Sequence, residues 1–137
     1  MRKIIIYTDG GAKGNPGPAA IGAVFCNQKG QIIKKFSQFL GESTNNVAEY
    51  KAVIFALKKF KALFGKKLAL KTEIEIRSDS ELLVKQLNGK YKILDEKIQK
   101  LFIEVWNLQT EFKKVVFKLI PRSENKLADR AANRTLF

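Results

Sequence analysis

The spacing of apolar residues in the first third of the chain predicts three β-strands. Residues 3–8 form a β-branched apolar run, which is typical of a buried strand. Residues 19–26 and 31–40 show strand character as well, and they flank a turn over 27–30. Strands joined by so short a connection pair antiparallel, so we expect the chain to begin with an antiparallel sheet.

A helical period replaces the strand pattern from residue 45 or 46 onward. Apolar residues then recur every three or four positions, while most lysines fall on other sides of the predicted helix. Gly65 follows the last apolar residue and can end the helix. The apolar stripe consists of Tyr50, Val53, Ile54, Leu57, Phe60 and Phe64.

The second half of the chain alternates between strand and helix patterns. Strands are predicted over 72–77 and 114–120, and helices are predicted over 80–88 and 94–112. Strands first, followed by strand and helix in alternation, indicate an α/β fold in which helices pack on a mixed sheet.

A final helix follows Pro121, which breaks the fifth strand. Ser123 or Asn125 can open it, because both residue types cap helix N-termini. The helix contains Leu127, Ala128, Ala131, Ala132 and Leu136. Neither a repeat nor a linker interrupts the pattern, so residues 1–137 are interpreted as one domain, which is long enough to bury a substantial core.

Charge and composition narrow the functional classes. The chain carries 26 Lys and Arg against 13 Asp and Glu, a formal net charge of +13, which favours nucleic acid first and an anionic membrane second as the partner. No apolar stretch is long enough for a signal sequence or a membrane span, so we expect a soluble cytoplasmic protein. The single Cys excludes an internal disulfide, and the absence of His excludes Cys/His and Ser/His/Asp catalysis and His-containing zinc sites.

Four acidic residues stand where predicted strands end or predicted helices begin. Asp9 ends the first strand and Asp79 follows the fourth, while Glu49 and Asp129 lie early in the first and last helices. If the first and fourth strands are neighbours, Asp9 and Asp79 lie side by side at the carboxyl edge of the sheet. Converging carboxylates there could hold divalent metal for phosphoryl chemistry. The plainer alternative is that these acids cap helices or pair with the abundant Lys.

The segments around these acids resemble the signatures of type 1 ribonuclease H. Residues 7–11, Tyr-Thr-Asp-Gly-Gly, and 14–18, Gly-Asn-Pro-Gly-Pro, are similar to the family's opening motif, and 44–49 is similar to its second. Residues 78–80 and 124–129 are similar to the other two, and all occur in family order. The resemblance implies a ribonuclease H-like α/β fold, a five-stranded mixed sheet with its first three strands antiparallel and helices on both faces.

The resemblance also implies a reaction, the endonucleolytic cleavage of the RNA strand of an RNA/DNA hybrid, which leaves 5′-phosphate and 3′-hydroxyl ends. Two Mg²⁺ or Mn²⁺ ions would take part, one lowering the pKa of the attacking water and the other stabilising the leaving 3′ oxygen. Carried over to this sequence, Asp9 bridges both ions and Asp129 joins the nucleophile-side ion. Glu49 and Asp79 would hold the other ion.

Substrate contacts are implied by the same resemblance. Asn15, Asn45 and Glu49 would face the minor groove and contact the RNA strand, whose ribose 2′-OH both donates and accepts hydrogen bonds. Thr44 would help to seat a phosphate of the DNA strand, and Asn46 would support the groove contact. The expected partner is an RNA/DNA hybrid, with double-stranded RNA as a second candidate. Neither a membrane nor an obligate protein partner is implied.

The chain lacks the His that many family members carry before the final motif. Glu124 or Arg122 is the nearest substitute for a role in assisting the attacking water or product release. Glu124 is explained equally well as an acid that favours the start of a helix.

The basic, Trp-rich protrusion of some family members is also absent, because the segment 88–94 is short. Lys85, Lys90 and Lys92 could still contact the DNA strand. Trp106 has helical spacing with Phe102 and Gln109 and is expected to pack in the core rather than stack on a base.

Two other functions stay open on the sequence. The first is a catalytically weak module that binds hybrid or double-stranded RNA, and the retention of all four acids argues against it. The second is another metal-dependent nuclease or strand transferase built on the same sheet, and Asn15, Asn45 and Asn46 argue against that one.

Overall fold

The computed structural model describes residues 3–135 and places five strands in one mixed sheet. The strands are β1 (Lys3–Ala12), β2 (Gly17–Cys26), β3 (Ile32–Ser43), β4 (Glu73–Ser78) and β5 (Lys114–Leu119). They lie in the order β3-β2-β1-β4-β5. β1, β2 and β3 pair antiparallel, whereas β4 pairs parallel with β1 and with β5. The predicted mixed sheet with an antiparallel start is confirmed.

Five helices and one 3₁₀ turn connect the strands within the described residues. They are α1 (Asn45–Phe64), α2 (Lys66–Leu70), α3 (Glu81–Leu87), α4 (Glu96–Gln109), the 3₁₀ turn Arg122–Glu124 and α5 (Lys126–Asn133). Thr44, Ser80 and Asp95 cap α1, α3 and α4, because each side chain accepts a hydrogen bond from a backbone N–H of the first turn. Among the helices of residues 3–135, none is long and apolar enough to cross a membrane.

The helices cover both faces of the sheet, as expected. On one face, Ile4 and Ile6 of β1 belong to the main core together with residues of α1 and α4. On the other face, Ile5 and Val24 pack with Ala128 of α5 in a smaller cluster. Successive side chains of a strand point to opposite faces, so β1 is buried on both sides, which explains the uninterrupted apolar run in its sequence.

One strand boundary differs from the prediction in a way that affects the site, and one helix was not predicted. β1 continues beyond Thr8 because β2 pairs with it as far as Ala12, opposite Ala19. Asp9 therefore lies inside a strand rather than at its end. The unpredicted helix α2 begins directly after Gly65, whose φ of 88° ends α1 and redirects the backbone.

Trp106 lies on the surface, so the expectation that it packs in the core was wrong. It is 54% exposed, and Ile103 one turn earlier is 56% exposed. Spacing predicts which residues share a face of a helix but does not determine which face meets the core. The buried side of α4 is formed by Ile98, Val105 and Leu108.

Leu136, predicted in the last helix, lies outside the described residues.

Phe60→Ala is expected to lower the free energy of unfolding by about 3–5 kcal/mol, because Phe60 is fully buried against three other rings and its loss leaves a cavity. Trp106→Ala removes a larger but exposed side chain and should change this free energy by less than about 1 kcal/mol. Urea denaturation followed by circular dichroism measures both values. Equal losses in the two variants would contradict the placement of Trp106.

Candidate active site

The parallel pairing of β1 and β4 brings Asp9 and Asp79 together. The last pair of the parallel ladder is Tyr7 opposite Arg77, and each strand leads to an aspartate two residues further on. Both carboxylates consequently lie at the carboxyl edge of the sheet. Their predicted adjacency is confirmed, since a carboxylate oxygen of one lies within 4.8 Å of a carboxylate oxygen of the other.

Glu49 of α1 completes a cluster of three carboxylates. Its Oε1 accepts a 2.8 Å hydrogen bond from the backbone N–H of Gly10. One oxygen from each of Asp9, Glu49 and Asp79 lies within 4.8 Å of the others. The approach of α1 to β1 requires Gly10, because a Cβ there would stand 2.3 Å from the carbonyl oxygen of Ala48. Glu49 is buried, whereas the two aspartates are half-buried.

Asp129 reaches the site from α5, on the other face of the sheet. It is exposed, and its proximity to Asp9 contributes to the raised pKa of that carboxyl. Asn133 Nδ2 also donates to Asp129 Oδ1 at 3.3 Å. Asp129 is not one of the three clustered carboxylates, yet all four predicted acids line one cavity of about 300 Å³. The other residues that line it are Gly10, Gly11, Asn45 and Arg122.

Two asparagines form a linked pair beside the cavity. The backbone N–H of Asn45 donates to Asn15 Oδ1 at 2.9 Å, and the backbone N–H of Ala12 donates to Asn45 Oδ1 at 2.8 Å. Both side chains are exposed. Their oxygens are thus engaged, whereas neither amide nitrogen makes a hydrogen bond within residues 3–135. The pair presents hydrogen-bond donors to solvent.

The other predicted substrate residues lie in different surroundings. Thr44 Oγ1 caps α1 by accepting a 3.3 Å hydrogen bond from the N–H of Val47. Asn46 is half-buried, and its Oδ1 has no partner in the part of the chain that the structure describes. Lys90 and Lys92 are exposed on the loop between α3 and α4 and do not line the acid cavity.

The 3₁₀ turn before α5 brings Arg122, and not Glu124, to the cavity wall. Both side chains are exposed. The role suggested for Glu124 stays a prediction, while Arg122 is the residue of this turn that lies among the acids. Sequence reasoning did not identify Asn133, although its position four residues after Asp129 places the two on one face of a helix.

Known proteins are similar to this chain in both sequence and fold. A family model described as Reverse transcriptase-like matches residues 7–135. Ribonuclease HI of Halobacterium salinarum is 37% identical over 98% of this chain and 64% of the relative. The chain belongs to the type 1 ribonuclease H family. A bifunctional protein of Mycobacterium tuberculosis is 36% identical to this chain over 96% of the chain and 35% of the relative.

Solved ribonuclease H structures extend the likeness to three dimensions. Ribonuclease H1 from the archaeon Halobacterium salinarum gives a TM-score of 0.89 at 35% identity and covers 98% of this chain and 97% of that one. LC11-RNase H1, solved in complex with an RNA/DNA hybrid, gives a TM-score of 0.88 at 43% identity and covers 98% of this chain and 99% of that one. By contrast, the chain spans 35% of the mycobacterial relative's length and 64% of the archaeal relative's.

Burial and mutual repulsion raise the pKa values of two acids in this cavity. The pKa of Asp9 rises to about 8, because the group is buried and because Asp79 and Asp129 place negative charge beside it. The pKa of Glu49 rises well above its usual range through burial and the charges of the neighbouring aspartates, which Arg122 opposes only in part. A divalent cation would relieve this repulsion, and carboxylate oxygens are the hard ligands that Mg²⁺ and Mn²⁺ prefer. The residues therefore fit a metal.

In the absence of divalent metal, the folded chain is expected to lose stability as the pH rises from about 4 to about 8. The pKa of Asp9 is about 8 in the folded chain against an unperturbed 3.8, so over this interval the unfolded chain releases a proton that the folded chain retains. Asp9→Asn removes this difference and should raise the melting temperature at pH 8 by about 3 °C or more.

Thermal denaturation in chelator and in Mn²⁺, at both ends of this pH interval, measures the effect. Mn²⁺ should raise the melting temperature of the wild type more than that of Asp9→Asn. Glu42→Gln removes an exposed acid of β3 outside the cavity and should behave as the wild type does. The same pH dependence in the wild type and in Asp9→Asn would contradict the raised pKa of Asp9.

Proposed function

We propose that this chain is an endonuclease that cleaves the RNA strand of RNA/DNA hybrids and leaves 5′-phosphate and 3′-hydroxyl ends. The observation that carries the proposal is the juxtaposition of four carboxylates in one cavity with the exposed amide donors of Asn15 and Asn45. Such a surface combines ligands for hydrolytic metal ions with donors suited to a ribose hydroxyl. Similarity to a ribonuclease H1 solved with an RNA/DNA hybrid supports it.

Asp9, Glu49, Asp79 and Asp129 are proposed to hold two Mg²⁺ or Mn²⁺ ions. Asp9 would be the central ligand of the set, because it clusters with Glu49 and Asp79 and its pKa is also raised by Asp129. When bound, such ions activate water and stabilise the charge on the leaving 3′ oxygen. The Gly10 N–H orients the Glu49 carboxylate within the cluster by its 2.8 Å hydrogen bond.

Arg122 is proposed to contribute to the step that a histidine assists in many relatives. Arg122 lines the cavity, and its positive charge opposes in small part the rise in the pKa of Glu49. A guanidinium in this position can hold a phosphate of the RNA strand by paired hydrogen bonds. Arginine stays protonated and cannot accept a proton, so its contribution is electrostatic, and Glu124 stays the alternative for proton transfer.

The amide nitrogens of Asn15 and Asn45 are proposed to donate hydrogen bonds to ribose 2′-OH groups in the minor groove. DNA lacks this hydroxyl, so the donors would lose their partners on double-stranded DNA, which disfavours that substrate. Thr44, which caps α1 beside Asn45, is proposed to seat a phosphate of the DNA strand, and Lys90 and Lys92 are proposed to neutralise further ones. Double-stranded RNA carries 2′-OH groups on both strands and is the second candidate substrate.

Asp9→Asn is expected to reduce the rate of hybrid cleavage at saturating Mg²⁺ by about a hundredfold or more without weakening hybrid binding, because it removes a shared ligand charge and preserves the side-chain shape. Single-turnover cleavage of a labelled hybrid measures the rate, and a gel-shift titration measures binding. Glu42→Gln is the matched control, since it removes an exposed acid outside the cavity. Activity of Asp9→Asn above about a tenth of the wild-type value would defeat the metal-ligand role.

Two sets of substitutions separate groove recognition from phosphate contacts. Asn15→Ala or Asn45→Ala should reduce hybrid cleavage by about tenfold or more with little change in the salt dependence of binding. Joint replacement of Lys90 and Lys92 by Ala should lower the slope of log affinity against log salt by up to about two, roughly one for each lost phosphate contact. Filter binding at several KCl concentrations measures the slopes. A slope change of about one or more in Asn15→Ala would contradict its groove role.

A further inference from the structure

Asn125 occupies the N-cap position of α5 but does not cap the helix. Asparagine at this position commonly accepts a hydrogen bond from an N–H of the first turn, yet no such side-chain bond forms here. Its Nδ2 instead donates to the backbone carbonyl of Thr8 in β1 at 2.9 Å, across 117 residues of sequence. Asn125 is 1% exposed and Thr8 is 0% exposed, so the bond is fully buried.

This arrangement leaves two polar atoms unpaired. Asn125 Oδ1 and Thr8 Oγ1 are buried and make no hydrogen bond within the described residues. Buried polar atoms are nearly always paired in proteins, because an unpaired one lowers stability. An ordinary cap at the start of α5 would satisfy an N–H of the helix and avoid burying an unpaired oxygen. The bond to Thr8 is therefore better explained by a role in positioning α5 than by a gain in the stability of the fold.

A second close contact fixes α5 opposite Asp9. Gly22 of β2 is the register partner of Asp9. A Cβ on Gly22 would stand 2.4 Å from the carbonyl oxygen of Ala128 and 2.5 Å from the backbone nitrogen of Ala132. The helix backbone thus lies directly against the sheet at this point. Asp129 is the residue that follows Ala128.

The two contacts lie close in sequence to the two acids. Thr8 precedes Asp9 in β1, and Asn125 lies one helical turn before Asp129, whose N–H donates to the Asn125 carbonyl at 3.1 Å. Asp129 is exposed, so packing around its own side chain does not hold it. A shift or rotation of α5 would therefore move Asp129 relative to Asp9.

We propose that Asn125 is a positioning residue that acts with Gly22 to hold Asp129 against Asp9 and thereby sets the affinity of the site for divalent metal. The inference rests on the metal-dependent nuclease function proposed above. If Asn125 acts in this way, its loss weakens metal binding through Asp129 and leaves recognition of the hybrid intact. A residue that only stabilised the fold would not show this selectivity.

The test compares Asn125→Ala with Gln86→Leu as a matched control. Gln86 is 7% exposed and accepts a 2.8 Å hydrogen bond from the hydroxyl of Tyr50, which joins α1 to α3. Neither Asn125 nor Gln86 lines the acid cavity. Each substitution removes one buried hydrogen bond between elements of the fold. Circular dichroism first shows that both variants are folded, and the EPR signal of unbound Mn²⁺ then gives the Mn²⁺ affinity of the free protein.

Asn125→Ala is expected to weaken Mn²⁺ binding by about tenfold or more, as loss of residues that orient metal ligands does elsewhere. The single-turnover rate at limiting Mn²⁺ should fall with it, and the KM for the hybrid should change by less than about twofold. Gln86→Leu should keep the Mn²⁺ affinity of the wild type within about twofold, even if it lowers the melting temperature as much as Asn125→Ala does. Equal Mn²⁺ affinities in the two variants would overturn the proposal.

A double-mutant cycle tests whether Asn125 acts through Asp129. In the Asp129→Asn background, Asn125→Ala should weaken Mn²⁺ binding by less than about a further twofold, and a second full loss would overturn the mechanism. Asn125→Ser keeps a shorter donor, should retain part of the affinity, and supplies the measurement if Asn125→Ala does not fold. Failure of the wild type to bind Mn²⁺ would instead reject the proposed function, so the two failures are distinguishable.

Discussion

The parallel pairing of β1 with β4 is the constraint on which the rest of the site depends. Parallel strands direct their carboxyl ends to the same edge of a sheet, and the ladder that ends at Tyr7 and Arg77 leads both chains to an aspartate at that edge. α1 and α5 then pack on opposite faces of β1, and each supplies one further acid to the same cavity. Hydrophobic packing of the helices thus holds together four carboxyl groups that would repel one another when ionised.

The overall charge of the chain and the charge at the cavity have opposite signs. The chain as a whole carries a formal charge of +13, which attracts a polyanion over a long range. At the cavity the sign is reversed, and the pKa values of Asp9 and Glu49 are raised first by burial and then by repulsion from the neighbouring carboxylates. Ionised carboxylates would repel a phosphate as well as one another. Divalent cations would resolve both conflicts, because they neutralise carboxylates and attract phosphate.

Sequence patterns predicted the strands because burial on a sheet leaves a direct signature in residue type and spacing. The predicted adjacency of Asp9 and Asp79 is confirmed although Asp9 lies inside β1 and not at its end. Other features depend on contacts between distant segments, which no local pattern encodes. The helical spacing around Trp106 predicted a core position for this residue. Packing of α4 against α1 instead turns Val105 inward and leaves Trp106 exposed. The local pattern at Asn125 indicates a helix cap, whereas the fold turns its side chain toward Thr8. The choice between Arg122 and Glu124 likewise depends on how the 3₁₀ turn lies over the sheet edge.

The most direct test of the account is a cleavage assay on three duplexes of one sequence, an RNA/DNA hybrid, double-stranded RNA and double-stranded DNA, each with Mg²⁺, Mn²⁺ or chelator. Groove donors that recognise 2′-OH groups and an acid site that requires metal together predict cleavage of the hybrid's RNA strand, with 5′-phosphate ends, in either metal. They predict no cleavage of double-stranded DNA and none of any duplex in chelator. Equal cleavage of hybrid and double-stranded DNA, or cleavage of the hybrid in chelator, would contradict the account.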